Sequence, residues 1–254
     1  MTKICPVLEN RRLSDTVVSL VLEAGEMAQE AKAGQFVNIK CGAALLLRRP
    51  ISICDVDKEK NTLRVVFEVK GEGTEWLAKL PAGHKVDVLG PLGNGYTFPK
   101  GKILVVGGGI GVPPMLYTAR CADSAVAALG FRSQDKVILT EEFEQCCQQV
   151  RIISDDGTTG RQGFVSALVA EYLAEDRDIA AVFACGPKPM LRSVAVEAEK
   201  ANVPCFVSME ERMGCGIGAC LVCACKTKKG DQEHYAHVCK DGPVFDAKEV
   251  CWDA

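Results

Sequence analysis

No stretch of this sequence stays apolar long enough to cross a bilayer. The longest uncharged run, residues 103–119, is interrupted by four glycines and two prolines, which a spanning helix does not accommodate. The opening residues, Met1-Thr2-Lys3-Ile4-Cys5-Pro6, lack the apolar core of a secretory signal. An excess of one charge is also lacking: 30 Lys and Arg against 33 Asp and Glu leave a formal charge of −3. That balance gives no electrostatic reason to expect nucleic acid or an anionic membrane as partner. There is no internal repeat, no low-complexity segment and no convincing nucleophile–base pair, so no catalytic side chain is assigned. The expectation is a soluble, cytoplasmic chain. At 254 residues, with 48% hydrophobic and 25% charged content, it has room for two domains and a small appendage.

Cysteine, by contrast, is abundant. Fourteen could suggest a disulfide scaffold, but such scaffolds are small, secreted and poor in core residues. Ten of the fourteen are scattered through apolar segments such as Ile53-Cys54 and Phe183-Ala184-Cys185, where buried free thiols are the simpler reading. The other four are Cys215, Cys220, Cys223 and Cys239, a C-x₄-C-x₂-C…C run. This is the plant-type spacing of a [2Fe–2S] cluster. Its glycines, Gly214, Gly216 and Gly218, let backbone N–H groups approach sulfur without a Cβ in the way. The alternative is a Cys₄ zinc site, although zinc knuckles usually pair one C-x₂-C with another. Cys225 lies two residues past Cys223 and stays outside the ligand set.

Residues 1–98 read as β-rich. Short runs at 16–22, 36–40, 51–55 and 63–69 are bounded by turn signals such as Ala33-Gly34, Pro81-Ala82-Gly83 and Gly93-Asn94-Gly95. Six or so strands at this spacing favour a barrel or sandwich, interrupted by one helix over 74–80. The pattern changes at Pro99-Lys100-Gly101. The run 102–106 is apolar without alternation, as in a strand buried on both faces. Strands at 125–129, 150–154, 180–184 and 205–209 then alternate with helices at 164–174 and 188–201, which predicts a parallel, doubly wound sheet over 99–209. Residues 210–254 form a third, cysteine-bearing unit, with a hairpin of 225–228 and 235–238 around Gly230.

Gly107-Gly108-Gly109-Ile110-Gly111 follows a buried strand and opens a helix at Pro113-Pro114, a place suited to a pyrophosphate. Neither register completes G-x-G-x-x-G, and Gly130-Phe131-Arg132 stands where an acidic ribose contact is needed, so the NAD dehydrogenase fingerprint fails. Arg132 leaves NADP open beside NAD. Cys185-Gly186-Pro187 ends a parallel strand, where ligands of open α/β sheets bind. On their own, Arg48-Arg49 reads as a solvated edge and Gly71-Glu72-Gly73-Thr74 as an ordinary loop whose N–H groups could meet a phosphate.

Taken in order, these segments resemble the ferredoxin–NADP reductase superfamily: a flavin-binding antiparallel β-barrel, a parallel-sheet nucleotide domain and a small C-terminal [2Fe–2S] subdomain. The resemblance implies that Arg49, Pro50, Ile51 and Ser52 hold the FAD phosphate and ring. Ile51 stands where the family's Arg-x-Tyr-Ser form has an aromatic. Gly73 and Thr74 would cap the FAD pyrophosphate, and Val66, Phe67 and Glu68 would touch the flavin. Gly107, Gly109, Gly111, Cys185, Gly186 and Pro187 would border the NAD site. The segments 154–160, 210–220 and 237–245 are similar to one branch, the electron-transfer subunits of type B dihydroorotate dehydrogenase. That likeness implies a partner FMN-containing dihydroorotate dehydrogenase catalytic subunit, two copies of each in a heterotetramer, and electron flow through [2Fe–2S] and FAD to NAD⁺ in pyrimidine synthesis. Ile217, Leu221 and Val222 would face the partner. Reductase subunits of sulfite reductase, hydrogenase or ferredoxin–NADP transhydrogenase type share the architecture and are the alternative. A zinc-bearing interaction module with a vestigial flavin fold is a further one.

Overall fold

In the computed structural model, which describes residues 2–230 and 232–253, the first strands close on themselves. β1 (Thr2–Arg12), β2 (Val17–Glu23), β3 (Phe36–Ile39), β4 (Arg49–Asp57), β5 (Thr62–Glu68) and β6 (Lys85–Leu92) form an antiparallel barrel in the order β1-β2-β5-β4-β3-β6. Closure leaves no unpaired edge. Leu20, Leu22, Val37, Ile39, Ile53, Leu63 and Val65 fill its core. A short helix α1 (Glu26–Glu30) follows β2, and α2 (Glu72–Ala78) lies between β5 and β6. Asn10 of β1 donates to the Leu77 and Leu80 carbonyls at 3.1 and 2.8 Å, satisfying acceptors that the end of α2 leaves free.

The second layer system starts at β7 (Lys102–Gly108), followed by α3 (Val112–Arg120), β8 (Ser124–Phe131), α4 (Thr140–Glu144), β9 (Val150–Ser154), β10 (Arg161–Gln162), α5 (Val165–Glu175), β11 (Ile179–Cys185), α6 (Lys188–Lys200) and β12 (Cys205–Ser208). These strands pair in parallel in the order β10-β9-β8-β7-β11-β12. The unalternating apolar runs have a direct cause: both faces are covered. Ile103, Val105 and Phe183 pack toward α3 and the barrel, whereas Leu104, Val106, Val182 and Ala184 pack toward α5 and α6. Strand order reverses between β7 and β11, so a crevice opens at their carboxyl ends.

After Met209 the chain leaves the sheet for the thiol loop. It returns as a hairpin, β13 (Ala224–Lys229) and β14 (Gln232–His237), and then as β15 (Val244–Asp246). β15 pairs antiparallel with β12 and becomes the seventh strand of the sheet. The segment expected as a separate unit from residue 210 therefore contributes an edge of the seven-stranded sheet. Met1, Asp231 and Ala254, which fall within the spans expected for the barrel domain and the cysteine-bearing unit, lie outside the described residues. Among the described residues no helix is long and apolar enough to cross a membrane.

Candidate functional site

A cleft of ≈540 Å³ runs between β4 and β5 of the barrel and the carboxyl ends of β7, β11 and β12. Its wall gathers Arg49, Pro50, Ile51, Ser52, Val66, Phe67, Glu68 and Thr74 from the barrel side, and Gly109, Gly111, Cys185, Gly186 and Pro187 from the sheet side. Two of the expected residues stand behind the wall. Gly107 is a packing glycine: a Cβ there would lie 2.8 Å from the Val112 Cα, and Gly108 lines the cleft instead. Gly73 lies under Arg49, and a Cβ on it would stand 2.8 Å from the Arg49 Cζ.

The two arginines of the Arg48-Arg49 pair differ in role. Arg48 is locked in the barrel by a two-pronged bond to Asp87 at 3.0 and 2.8 Å. Arg49 donates to the Leu47 carbonyl at 2.5 Å and has no carboxylate partner among the described residues. Its guanidinium lies across the first turn of α2, where free N–H groups add positive potential. Two positive features facing one cleft suit a pyrophosphate. The Thr74 hydroxyl shapes this corner from within: it accepts from the Lys70 and Gly71 N–H groups at 2.9 and 3.1 Å and donates to the Gly71 carbonyl at 2.9 Å.

On the opposite wall Gly109 has φ +55 and open space where a Cβ would be, so its backbone faces the cleft. Gly111 abuts the Cys185 carbonyl so closely that no side chain fits. Burial, eased by a bond to the Ser208 hydroxyl, pushes the Cys185 thiol up to about 12. It is a neutral SH at physiological pH.

The cleft wall extends through Glu210 and Glu211 to Met213, two residues before Cys215. There the loop turns its backbone N–H groups onto sulfur. Ile217, Ala219 and Cys220 donate to Cys215 Sγ at 3.4, 3.3 and 3.4 Å, and Gly218 donates to Cys239 Sγ at 3.1 Å. Cys215 and Cys239 donate to the sulfurs of Cys220 and Cys223 at 3.3 and 3.4 Å. Positive φ at Gly216 and Gly218 makes the winding possible. Desolvation raises the Cys215 pKa, but the N–H donors of Ile217, Cys220 and Ala219 outweigh it and bring it down to about 6. Burial pushes Cys239 up to about 12. Soft thiolates ringed by N–H donors fit an iron–sulfur core. No three His, Cys, Asp or Glu side chains among the described residues gather as one metal ion requires, whereas a binuclear core divides four thiolates between two irons. Cys225 lines a separate cavity of ≈200 Å³ with Lys188, Tyr235 and Cys251.

Two wall residues carried no sequence signal: Phe36 reads as an ordinary strand residue and Lys70 as a loop position. Ile110 and Pro114 lie in the glycine loop and helix start read as suited to a pyrophosphate, and Pro243 in the segment 237–245 that carries the family likeness. Ser208, Met209, Glu210 and Glu211 were traceable in principle, because they follow a parallel strand at its carboxyl end.

Residues 210–251 match the family model described as the iron–sulfur cluster binding domain of dihydroorotate dehydrogenase B. The electron transfer subunit of dihydroorotate dehydrogenase B (NAD(+)) from Caldanaerobacter subterraneus subsp. tengcongensis is 41% identical over 247 residues, 96% of each chain. Its counterpart from Streptococcus mutans is 40% identical over 258 residues, 97% of each. Among solved structures, an NADH-dependent reduced ferredoxin–NADP oxidoreductase superposes with a TM-score of 0.88 at 28% identity, covering 99% of this chain and 91% of that one. The Amycolatopsis cytochrome P450 reductase GcoB shares the fold, with a TM-score of 0.66 at 21% identity over 79% of this chain and 66% of its own.

Proposed function

The chain belongs to the family of electron transfer subunits of dihydroorotate dehydrogenase B, and from that membership we propose which of its residues carry the electrons. It is one subunit of an NAD⁺-linked oxidoreductase that has a separate catalytic partner, and its cofactors are FAD, a [2Fe–2S] cluster and NAD. When bound, the cluster exchanges single electrons, the nicotinamide exchanges hydride and the flavin exchanges both.

Cys215, Cys220, Cys223 and Cys239 hold the irons, and the loop N–H groups offset the negative charge of the thiolates. Arg49 takes the pyrophosphate charge, with Gly73 leaving room for its guanidinium and Thr74 closing the turn beside it. Pro50, Ile51, Ser52, Val66, Phe67 and Glu68 form the wall against the flavin. Gly109, Gly111, Cys185, Gly186 and Pro187 border the nicotinamide, with Gly107 packing the loop from behind. Cys185, as a neutral thiol, brings no negative charge to that surface. The three parts of the chain are an FAD barrel over 1–98, a nucleotide domain over 99–209 and a cluster subdomain over 210–254, the last lending β15 to the sheet.

The partner contains FMN and oxidises dihydroorotate to orotate in the cytoplasm, in a complex with two copies of each subunit. Ile217, Leu221 and Val222, more than half exposed around the thiol loop, form the face toward it. The observation that carries this reading is continuity: one cleft wall leads from Arg49 and Cys185 to Met213, at the foot of the cluster loop. Cys220→Ser in the co-expressed complex should remove the cluster's visible absorption, keep the flavin's, and lose at least 90% of dihydroorotate-driven NAD⁺ reduction. An unchanged spectrum would refute the ligand set. Reduction of NAD⁺ by ferredoxin but not by dihydroorotate would assign the chain to the transhydrogenase type.

A further inference from the structure

Asn38 occupies a place that the route above does not explain. Along β3, Val37 and Ile39 enter the barrel core, while Phe36 and Asn38 point out of it toward the C-terminal segment. Asn38 is completely buried, yet neither its Nδ2 nor its Oδ1 has a hydrogen-bond partner among the described residues. Burying both ends of a carboxamide unpaired is unfavourable. What it presses against is specific: a methyl group on Gly216 would lie 2.7 Å from Asn38 Nδ2 and 3.5 Å from its Cγ. Gly216 sits between Cys215 and Ile217 and has φ +76. Directly across the β3–β4 ladder from Asn38 is Pro50, a wall residue of the cleft. The carboxamide therefore lies between the flavin cleft and the cluster loop.

Backbone N–H groups of Ile217, Ala219 and Cys220 already converge on Cys215 Sγ. We propose that Asn38 supplies a side-chain donor beside Gly216, its Nδ2–H bonding to an inorganic sulfur of the bound cluster. Asn38 is then a positioning residue that also sets the potential. The reduced cluster carries one more negative charge than the oxidised one, so each donor to sulfur favours reduction and raises the potential. Asn38 thereby keeps the cluster at a potential from which electrons pass readily between flavin and partner. The inference rests on the cluster assignment made above.

The test is a redox titration of the cluster in the intact two-subunit complex, followed by electron paramagnetic resonance. Asn38→Leu, close in size and without donors, should lower the reduced-to-oxidised ratio about tenfold at a fixed ambient potential, ~59 mV for a one-electron couple. Asn38→Gln should recover part of that loss by restoring the amide. A second measurement needs no variant. With side-chain ¹⁵N-asparagine, electron–nuclear double resonance on the wild-type reduced cluster should show a ¹⁵N coupling, together with a proton coupling that exchanges in D₂O. Asn94, near Cys239, commits its own Nδ2 to the Lys240 and Asp241 carbonyls. If the ¹⁵N coupling is missing, or if Asn38→Leu folds with an unchanged potential, the proposal is overturned. If the wild-type complex gives no [2Fe–2S] signal at all, the cluster assignment itself is what fails.

Discussion

The thiols differ in charge state because their surroundings differ, and that separates reactive from inert cysteines. Cys146, half-buried after α4, is held down to about 7, chiefly by the hydrogen bond from Cys147 and against burial, with the Arg120 guanidinium adding to the effect. Burial pushes Cys54, Cys185 and Cys205 up to about 12. At pH 8, Cys146 is mostly thiolate and the other three are protonated. In the cluster-loaded protein, brief iodoacetamide treatment at pH 8 should label Cys146 ahead of these three, with a rate falling ~10-fold per pH unit well below pH 7. Peptide mass mapping reads the result, and equal labelling of Cys185 would contradict its assignment as a neutral thiol. The four cysteines proposed as ligands stood out in the sequence because their spacing is local and survives any tertiary arrangement. Asn38 and Phe36 were not, because their roles depend on strand register and on which segment later covers that face of the barrel.

At the scale of elements, α2 is short and draws its stability from its ends rather than its length. Asn10 closes its C-terminal carbonyls, and the Thr74 hydroxyl closes the turn that leads into it. Thr74→Val keeps the shape and leaves the Lys70 and Gly71 N–H groups without that oxygen. The expected cost is ~1 kcal/mol in a denaturant titration of the flavin-free protein. FAD affinity should fall as well, since the turn no longer presents its amides in place; fluorescence titration with FAD checks this. A loss of stability with full FAD affinity would show that the hydroxyl serves the helix alone. The same scale explains which elements could be read in advance. The parallel strands were legible because burial on both faces leaves uninterrupted apolar runs. The hairpin was legible from Gly230. β1 ends in Glu9-Asn10-Arg11-Arg12 and alternates poorly, so it offered no periodic signal. β15 is only three residues long and exists because β12 presents an open edge to it. Such pairing is decided by tertiary contact, not by local propensity.

For the whole molecule, what matters to electron transfer is that flavin cleft and thiol loop keep one separation. A single apolar core runs from the barrel through α3 to one face of β7 and β11. Tyr96, just past the barrel, stacks on Phe183 of β11 at 4.5 Å, and Phe98 and Phe206 pack edge-on around that ring. Barrel and sheet are therefore held as one body. The cluster segment is tied to that body by a second core, in which Val238, Cys239, Phe245, Ala247 and Val250 pack with the other face of the sheet, and by polar links. β15 anchors it to the sheet, and Asn94, which follows β6, anchors it to the barrel. The Asn94 N–H donates to the Gly242 carbonyl at 2.6 Å, and its Nδ2 donates to the Lys240 and Asp241 carbonyls at 3.0 Å each. Those carbonyls follow Cys239 directly, so the side chain fixes one end of the proposed ligand set relative to the cleft. Asn94→Ala retains the main-chain bond and removes the other two, loosening that end without disturbing either core. In stopped-flow experiments, NADH should reduce the flavin of this variant at the wild-type rate, since no group proposed to border the nicotinamide has changed. Passage of electrons on to the cluster should slow several-fold, because the ligand loop then samples a wider range of separations. Equal slowing of both phases would mean that the substitution disturbed the cleft itself. Two unchanged phases would mean that β15 and the buried thiols, Cys223 and Cys239, suffice to hold the segment in place.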